Sequence, residues 1–189
     1  MRPIKGTAPR YSNSTQDQQE QKRLWQSEKD QAELMMIVDL ERNDLGKVCE
    51  YGSVRVPVLK VLESYATVHH LVATLEGKLL AHKDVFDLLI ATFPCGSITG
   101  APKLRAMERI AQFESTPRSL YTGSLGWIDF KGNADFNVLI RSLLLEKDTL
   151  QFNVGGGIVI DSLPEKEYEE TLHKGAGLAR ALGCAMERH

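Results

Sequence analysis

Residues 124–154 read SLGWIDFKGNADFNVLIRSLLLEKDTLQFNV, and the way this stretch divides decides the fold class. Three apolar runs, 124–130, 136–145 and 150–154, are separated by Lys131-Gly132-Asn133 and by Glu146-Lys147-Asp148-Thr149. Strand-length runs parted by turn residues predict a β-meander. Upstream, 54–62 and 66–75 are rich in β-branched residues and predict two more strands, with Gly52 and Glu76-Gly77 as turn signals.

Helical patterns lie on either side. The polar segment 11–30 predicts a loop and then a surface helix anchored by Leu24 and Trp25, and 31–45 turns apolar almost all round, as a buried helix does, with Gly46 as its stop. Val85, Leu88, Leu89 and Thr92 give 84–93 a helical spacing, and Pro102 suits the first position of a helix running to about 113. After Gly155-Gly156-Gly157 the pattern predicts a short strand, 158–160, a turn at 161–164, and a last helix to about 182 with Tyr168, Leu172, Ala179 and Leu182 as its apolar stripe. Strands and helices fall in runs instead of alternating, so the fold class is α+β, not a doubly wound parallel sheet.

The 189 residues, 42% apolar and 25% charged, have the material of a globular domain. A net charge of −2 with dispersed Lys and Arg excludes a nucleic-acid footprint, and the sequence offers neither a membrane span nor a signal peptide. Cys49, Cys95 and Cys184 are odd in number and lack metal-ligand spacing, which points to reduced thiols and a cytoplasmic protein.

Several polar groups could carry chemistry. Lys5, in a Pro3-Ile4-Lys5-Gly6-Thr7 turn, is either a solvated cation or a nucleophile whose amine is made neutral by desolvation or by neighbours such as Arg2 and Arg10. Glu167, Glu170 and Lys174 share one arc of the last helix, either as a solvated face or as a carboxylate pair for a hard cation such as Mg²⁺. Glu33, at the start of an apolar helix, is a third carboxylate or a favourable helix-end charge. The loop from Ser97 through Thr99 and Gly100 to Lys103 offers hydroxyls and a helix start to an anion, or only a cap. Gly155-Gly156-Gly157 allows close backbone approach to a ligand, or forms a bulge. Arg141, in an apolar run, needs a carboxylate if buried, and His70, between strand residues, has the usual reading of a satisfied core histidine.

Taken in order, these motifs make the chain resemble the C-terminal part of the chorismate-utilising enzymes, the family of anthranilate, aminodeoxychorismate, isochorismate and salicylate synthases. The resemblance is carried by Pro3-Ile4-Lys5-Gly6-Thr7, the segment from Glu33 to Gly46, His70-Leu71-Val72, Gly96 to Lys103, Tyr121 to Gly126, Arg141, Gly155 to Val159, and the run from Asp161 through Glu167, Glu170 and Lys174. It implies a four-layer α+β fold of packed, mostly antiparallel sheets flanked by helices, with 1–189 as the C-terminal portion of a chorismate-binding catalytic domain. Within the family, lysine at position 5 marks the branch that makes 4-amino-4-deoxychorismate for 4-aminobenzoate and folate synthesis.

The resemblance also implies roles. Lys5 forms a covalent adduct with the ring, and His70 lies near the leaving hydroxyl. Glu33, Glu167 and Glu170 surround Mg²⁺. Thr99, Gly100, Tyr121, Arg141, Gly155, Gly157 and Lys174 hold the substrate, and a glutamine amidotransferase subunit supplies ammonia. Nucleic acid and membrane are not expected partners. Family members are more than twice as long, and the acid that protonates their leaving hydroxyl precedes the lysine motif, so these 189 residues alone are expected to be impaired. The alternatives are anthranilate or isochorismate/salicylate chemistry on the same fold, or a non-catalytic fragment.

Overall fold

The structure is a computed structural model that describes residues 1–160 and 162–183, and the chain divides into two compact units, Met1–Phe113 and Glu114–His189. Asp161 and Cys184 lie outside the described residues. Helices and small antiparallel sheets occur in separate runs, which makes the fold α+β.

The first unit is built on a three-stranded antiparallel sheet of β1 (Ile4–Pro9), β2 (Arg55–Ser64) and β3 (Val68–Glu76), in the order β1-β3-β2. Two helices pack on it, α1 (Ser14–Gln26) and α2 (Glu28–Gly46). They are separate because each start is capped: Asn13 accepts from the Gln16 N–H at 3.1 Å, and the Ser27 hydroxyl accepts from the Asp30 N–H at 3.2 Å. Leu24 of α1 and Leu34, Val38 and Leu45 of α2 close over Ala8, Leu71, Ala73 and Leu75 of the sheet to form the core. Three further helices complete the unit, α3 (Val85–Thr92), α4 (Gly96–Thr99) and α5 (Lys103–Phe113). Asp84 starts α3 with a reciprocal capping box, accepting from the Asp87 N–H while the Asp87 carboxylate accepts from its own.

Two expectations for this unit change. The Pro3 to Thr7 segment is not a turn but the start of β1, because a bulge absorbs its glycine: the register slips between Lys5, opposite Leu71, and Thr7, opposite His70. Gly6 takes φ +80°, and a Cβ there would stand 2.9 Å from Leu24 Cδ1, so conformation and space both require glycine. Helix α2 is not buried all round. Leu34, Ile37, Val38 and Leu40 face inward while Met35 and Met36 are exposed, the one-sided pattern of a helix lying on a sheet.

The second unit holds two hairpins and a helix. β4 (Ser124–Ile128) pairs with β5 (Ala134–Val138), and β6 (Leu144–Glu146) with β7 (Thr149–Gln151). The first turn is drawn in by Asp129, whose Oδ1 accepts from the Lys131 and Asn133 N–H groups, both at 2.8 Å. The expected meander is therefore two separate hairpins. The run 136–145 breaks where Arg141 adopts φ +54°, which no continuous strand accommodates. Residues 158–160 form no strand. Helix α6 (Pro164–Ala181) starts with proline, as its fixed φ favours, but only part of the expected stripe is covered: Ala179 is buried while Tyr168 and Leu182 are exposed. No single helix among the described residues is long and apolar enough to cross a membrane.

A buried polar knot ties β3 to α1. His69 is fully buried, its Nε2 lying 3.0 Å from Asp17 Oδ1 and its Nδ1 2.7 Å from the Ser64 hydroxyl. Asp17 also accepts from the Tyr11 N–H, Arg10 Nε and Gln21 Nε2. The Tyr11 N–H first, then His69, Arg10 and Gln21, hold its carboxyl well below the usual carboxylate range against the opposing effect of burial. His69→Ala is expected to destabilise the chain by about 3 kcal/mol, from a lost imidazole and stranded partners. Urea unfolding measures it, and a loss under about 1 kcal/mol would refute the assignment. Because the Asp17 carboxyl is depressed in the fold, its stabilisation is present at neutral pH and is lost as pH falls below about 4.

Candidate active site

In the first unit, the bulge puts Lys5 on the same face of the sheet as Leu71, the face covered by α2. Its ammonium lies 3.4 Å from Glu33 Oε2, and both side chains are about four-fifths buried. Glu33 stands one turn inside α2, not at its first residue, and its other oxygen lies 3.9 Å from Lys29. The arginines near Lys5 in sequence are engaged elsewhere, Arg2 with Glu63 and Arg10 with Asp17, so the nearest charge to the amine is a carboxylate.

His70 belongs to the opposite face. Its Nδ1 lies 3.0 Å from the Thr7 hydroxyl and its ring packs 5.8 Å from that of Tyr65, centroid to centroid. It is half-buried, and the satisfied core histidine is its neighbour His69. Thr99 ends α4, where its hydroxyl donates to the Cys95 carbonyl at 3.1 Å, and Gly100 follows at φ +134°.

The second unit gathers its candidates around Gly155, Gly156 and Gly157. Lys174 Nζ donates to the Gly155 carbonyl at 3.2 Å and pairs with Glu170 at 2.6 Å, one helical turn away. Glu167 Oε1 accepts from the Ser162 hydroxyl at 2.6 Å, while Oε2 turns toward Gly156, 3.2 Å from where a Cβ would stand. A Cβ on Gly155 would come within 2.8 Å of the Tyr121 hydroxyl. The glycines let backbone, phenol, ammonium and carboxylate approach one another closely. Burial, opposed by Arg118, pushes the Tyr121 phenol up, so it is a hydrogen-bond donor at neutral pH.

Arg141 is exposed and stands outside any strand, so the expected partner of a buried guanidinium is not required. Ser162, which holds the Glu167 carboxylate, is absent from the sequence-based candidates; its signal is a hydroxyl two residues ahead of the proline that opens α6. Glu167 and Glu170 form an oxygen-only donor pair one turn apart, which suits a hard divalent cation. Among the described residues no three His, Cys, Asp or Glu side chains converge as a metal cage.

The family model described as chorismate binding enzyme matches residues 1–180. Aminodeoxychorismate synthase component 1 of Klebsiella aerogenes is 52% identical over 173 residues, 92% of this chain and 38% of that protein. Anthranilate synthase component 1 of Saccharolobus solfataricus is 46% identical over 181 residues, 96% of this chain and 43% of the relative. Among solved structures, anthranilate synthase component I from Streptococcus pneumoniae TIGR4 superposes with a TM-score of 0.80 at 34% identity, covering 95% of this chain and 39% of that one. The chain thus spans about two fifths of the length of the relatives it matches.

Proposed function

Because the chain belongs to the chorismate-binding enzyme family, we propose that it aminates chorismate at C4 to give 4-amino-4-deoxychorismate for 4-aminobenzoate and folate synthesis. The observation that carries this reading is Lys5, a four-fifths-buried primary amine 3.4 Å from a carboxylate, in a chain 52% identical to an aminodeoxychorismate synthase component 1. The amine of Lys5, in its neutral form, adds to ring C2, the two ring double bonds shift from C1–C2 and C5–C6 to C1–C6 and C4–C5, and the C4 hydroxyl departs with a proton. Ammonia then adds at C4, both double bonds shift back, and the lysine nitrogen leaves C2 with its electron pair, taking up the proton that the added ammonia sheds. Glu33, 3.4 Å from the amine, is assigned to take the proton that the amine must shed, and His70 is assigned to the leaving hydroxyl.

Tyr121, Arg141, Lys174, Thr99 and the amides of Gly100, Gly155 and Gly157 are assigned to the carboxylates and enolpyruvyl oxygen of the substrate, as donors for a dianion. Glu167 and Glu170 would hold Mg²⁺, whose charge would neutralise the ring carboxylate. The ammonia comes from a glutamine amidotransferase partner, a role implied by the component 1 name of the relatives. The free thiols Cys49 and Cys95 suit a cytoplasmic setting.

The test is product analysis on the full-length gene product supplied with chorismate, ammonium and Mg²⁺. 4-Amino-4-deoxychorismate is expected; anthranilate, which the 46% identical relative makes the second reading, would overturn the assignment, as would isochorismate. Gly155→Ala is expected to push the Tyr121 hydroxyl aside and weaken chorismate binding about tenfold, read by titration calorimetry. Unchanged affinity would remove Tyr121 from the site.

A further inference from the structure

Helix α2 carries two buried carboxyl groups near its end, Glu41 and Asp44, 2% and 1% exposed. Asp44 is fully answered: Lys47 pairs with it at 2.8 Å, and Lys103 pairs with its other oxygen while donating to the Thr92 carbonyl at 3.2 Å. Glu41 is answered on one side only. Its Oε1 faces the Cys95 thiol at 3.7 Å, and its Oε2 is buried without a hydrogen-bond partner. A buried carboxylate anion with a single weak thiol donor is costly, whereas a neutral carboxyl is tolerated there.

The residues facing Glu41 open the segment that α4 continues. Cys95 Sγ also meets the Ser97 hydroxyl at 3.1 Å, and the Cys95 carbonyl accepts from Thr99. Gly96 lies so close to α2 that a Cβ would stand 2.5 Å from Leu40 Cδ2. Leu40 and Glu41 are thus the seat on which residues 95–99 rest.

We propose that Glu41 is a positioning residue: its carboxyl seats residues 95–99 on α2 and through them fixes Thr99 and Gly100 for the substrate. The link to substrate rests on the chorismate reading above; the seating does not. Burial pushes the Glu41 carboxyl up to about 7; the Met1 amino group, the Cys95 contact and Lys103 pull it down, and Asp44 pushes it further up. When the segment lifts off, the carboxyl regains water and its ordinary value near 4.5. The seated form therefore binds the proton more tightly. Its advantage is complete below about pH 4.5, declines as pH rises toward 7, and is level above that.

The test is amide hydrogen exchange on this chain and on Glu41→Gln, which keeps the shape and cannot ionise, corrected for the intrinsic pH dependence of exchange. In the unsubstituted chain the protection of amides 96–100 is expected to fall by up to about tenfold per pH unit between pH 5 and 7 and then level off. In Glu41→Gln it is expected to be flat. Flat protection in the unsubstituted chain, a measurement that needs no variant to fold, overturns the proposal, as does the same fall in Glu41→Gln. Chorismate titrated with Mg²⁺ over the same range into the full-length gene product and its Glu41→Gln form gives the second arm. Affinity that falls in parallel supports the link to substrate, and affinity that stays level while protection falls overturns that link. No chorismate binding at any pH in either protein overturns the chorismate reading, and the exchange profile then decides the seating alone.

Discussion

Lys5→Ala is expected to lower the formation of 4-amino-4-deoxychorismate at least about a thousandfold while chorismate affinity changes only a few-fold. The asymmetry follows from the roles proposed. A nucleophile acts in the chemical step, so its loss appears in kcat; the anion-binding groups of the second unit carry the ground-state affinity. Lys5→Arg is expected to give no rescue, since a guanidinium stays protonated and cannot attack carbon. The measurement is single-turnover product formation by the full-length gene product at saturating ammonium, joined to mass spectrometry of the Lys5 peptide for the ring adduct. A Lys5→Ala protein that works at the unsubstituted rate removes the covalent role. Glu33→Gln separates the two duties of the pair: with Glu33 3.4 Å from the amine, its loss slows adduct formation more than it slows adduct breakdown by ammonia.

Glu167→Gln is the second large effect, raising the Mg²⁺ concentration needed for half-maximal activity about a hundredfold. The substitution keeps the volume and the Ser162 contact but removes the charge that a hard cation requires. Ser162→Ala leaves the charge and loses only the 2.6 Å hydrogen bond that orients it, so about a tenfold shift is expected there. An activity curve against Mg²⁺ that is the same for Glu167→Gln as for the unsubstituted protein would take the metal away from α6.

The helix-borne half of the candidate site was legible because helical spacing is local. Glu167, Glu170 and Lys174 share an arc in the sequence, and α6 joins two of them and brings the third to Ser162 and the glycines. The strand-borne half was less legible, because what a strand residue faces is set by a partner far along the chain. Lys5 was marked by its motif, yet its strand depends on β3, more than sixty residues away, and the turn signals Pro3 and Gly6 concealed it. The adjacent histidines show the same limit. Nothing in Val68-His69-His70-Leu71 says which ring is buried, since the partner that decides it, Asp17, sits in a polar segment 52 residues earlier. The break at Arg141 has no signal in the sequence, because an apolar run reports burial and not backbone sign.

The bulge at Gly6 has a consequence for counting. Along a regular strand, residues two apart look the same way, so Lys5 and Thr7 would be companions; one supernumerary residue makes them opponents, and Lys5 instead shares its outlook with Ala8. Deleting Gly6 would remove the bulge and make residues 5 and 7 consecutive, so Lys5 would keep its place opposite Leu71 and its face toward Glu33; turning the amine away requires keeping Gly6 and pairing it as an ordinary ladder residue. A one-residue gap at this point in an alignment therefore leaves the lysine where it is, whereas a substitution at Gly6 that irons out the bulge has the weight of an inverted side chain.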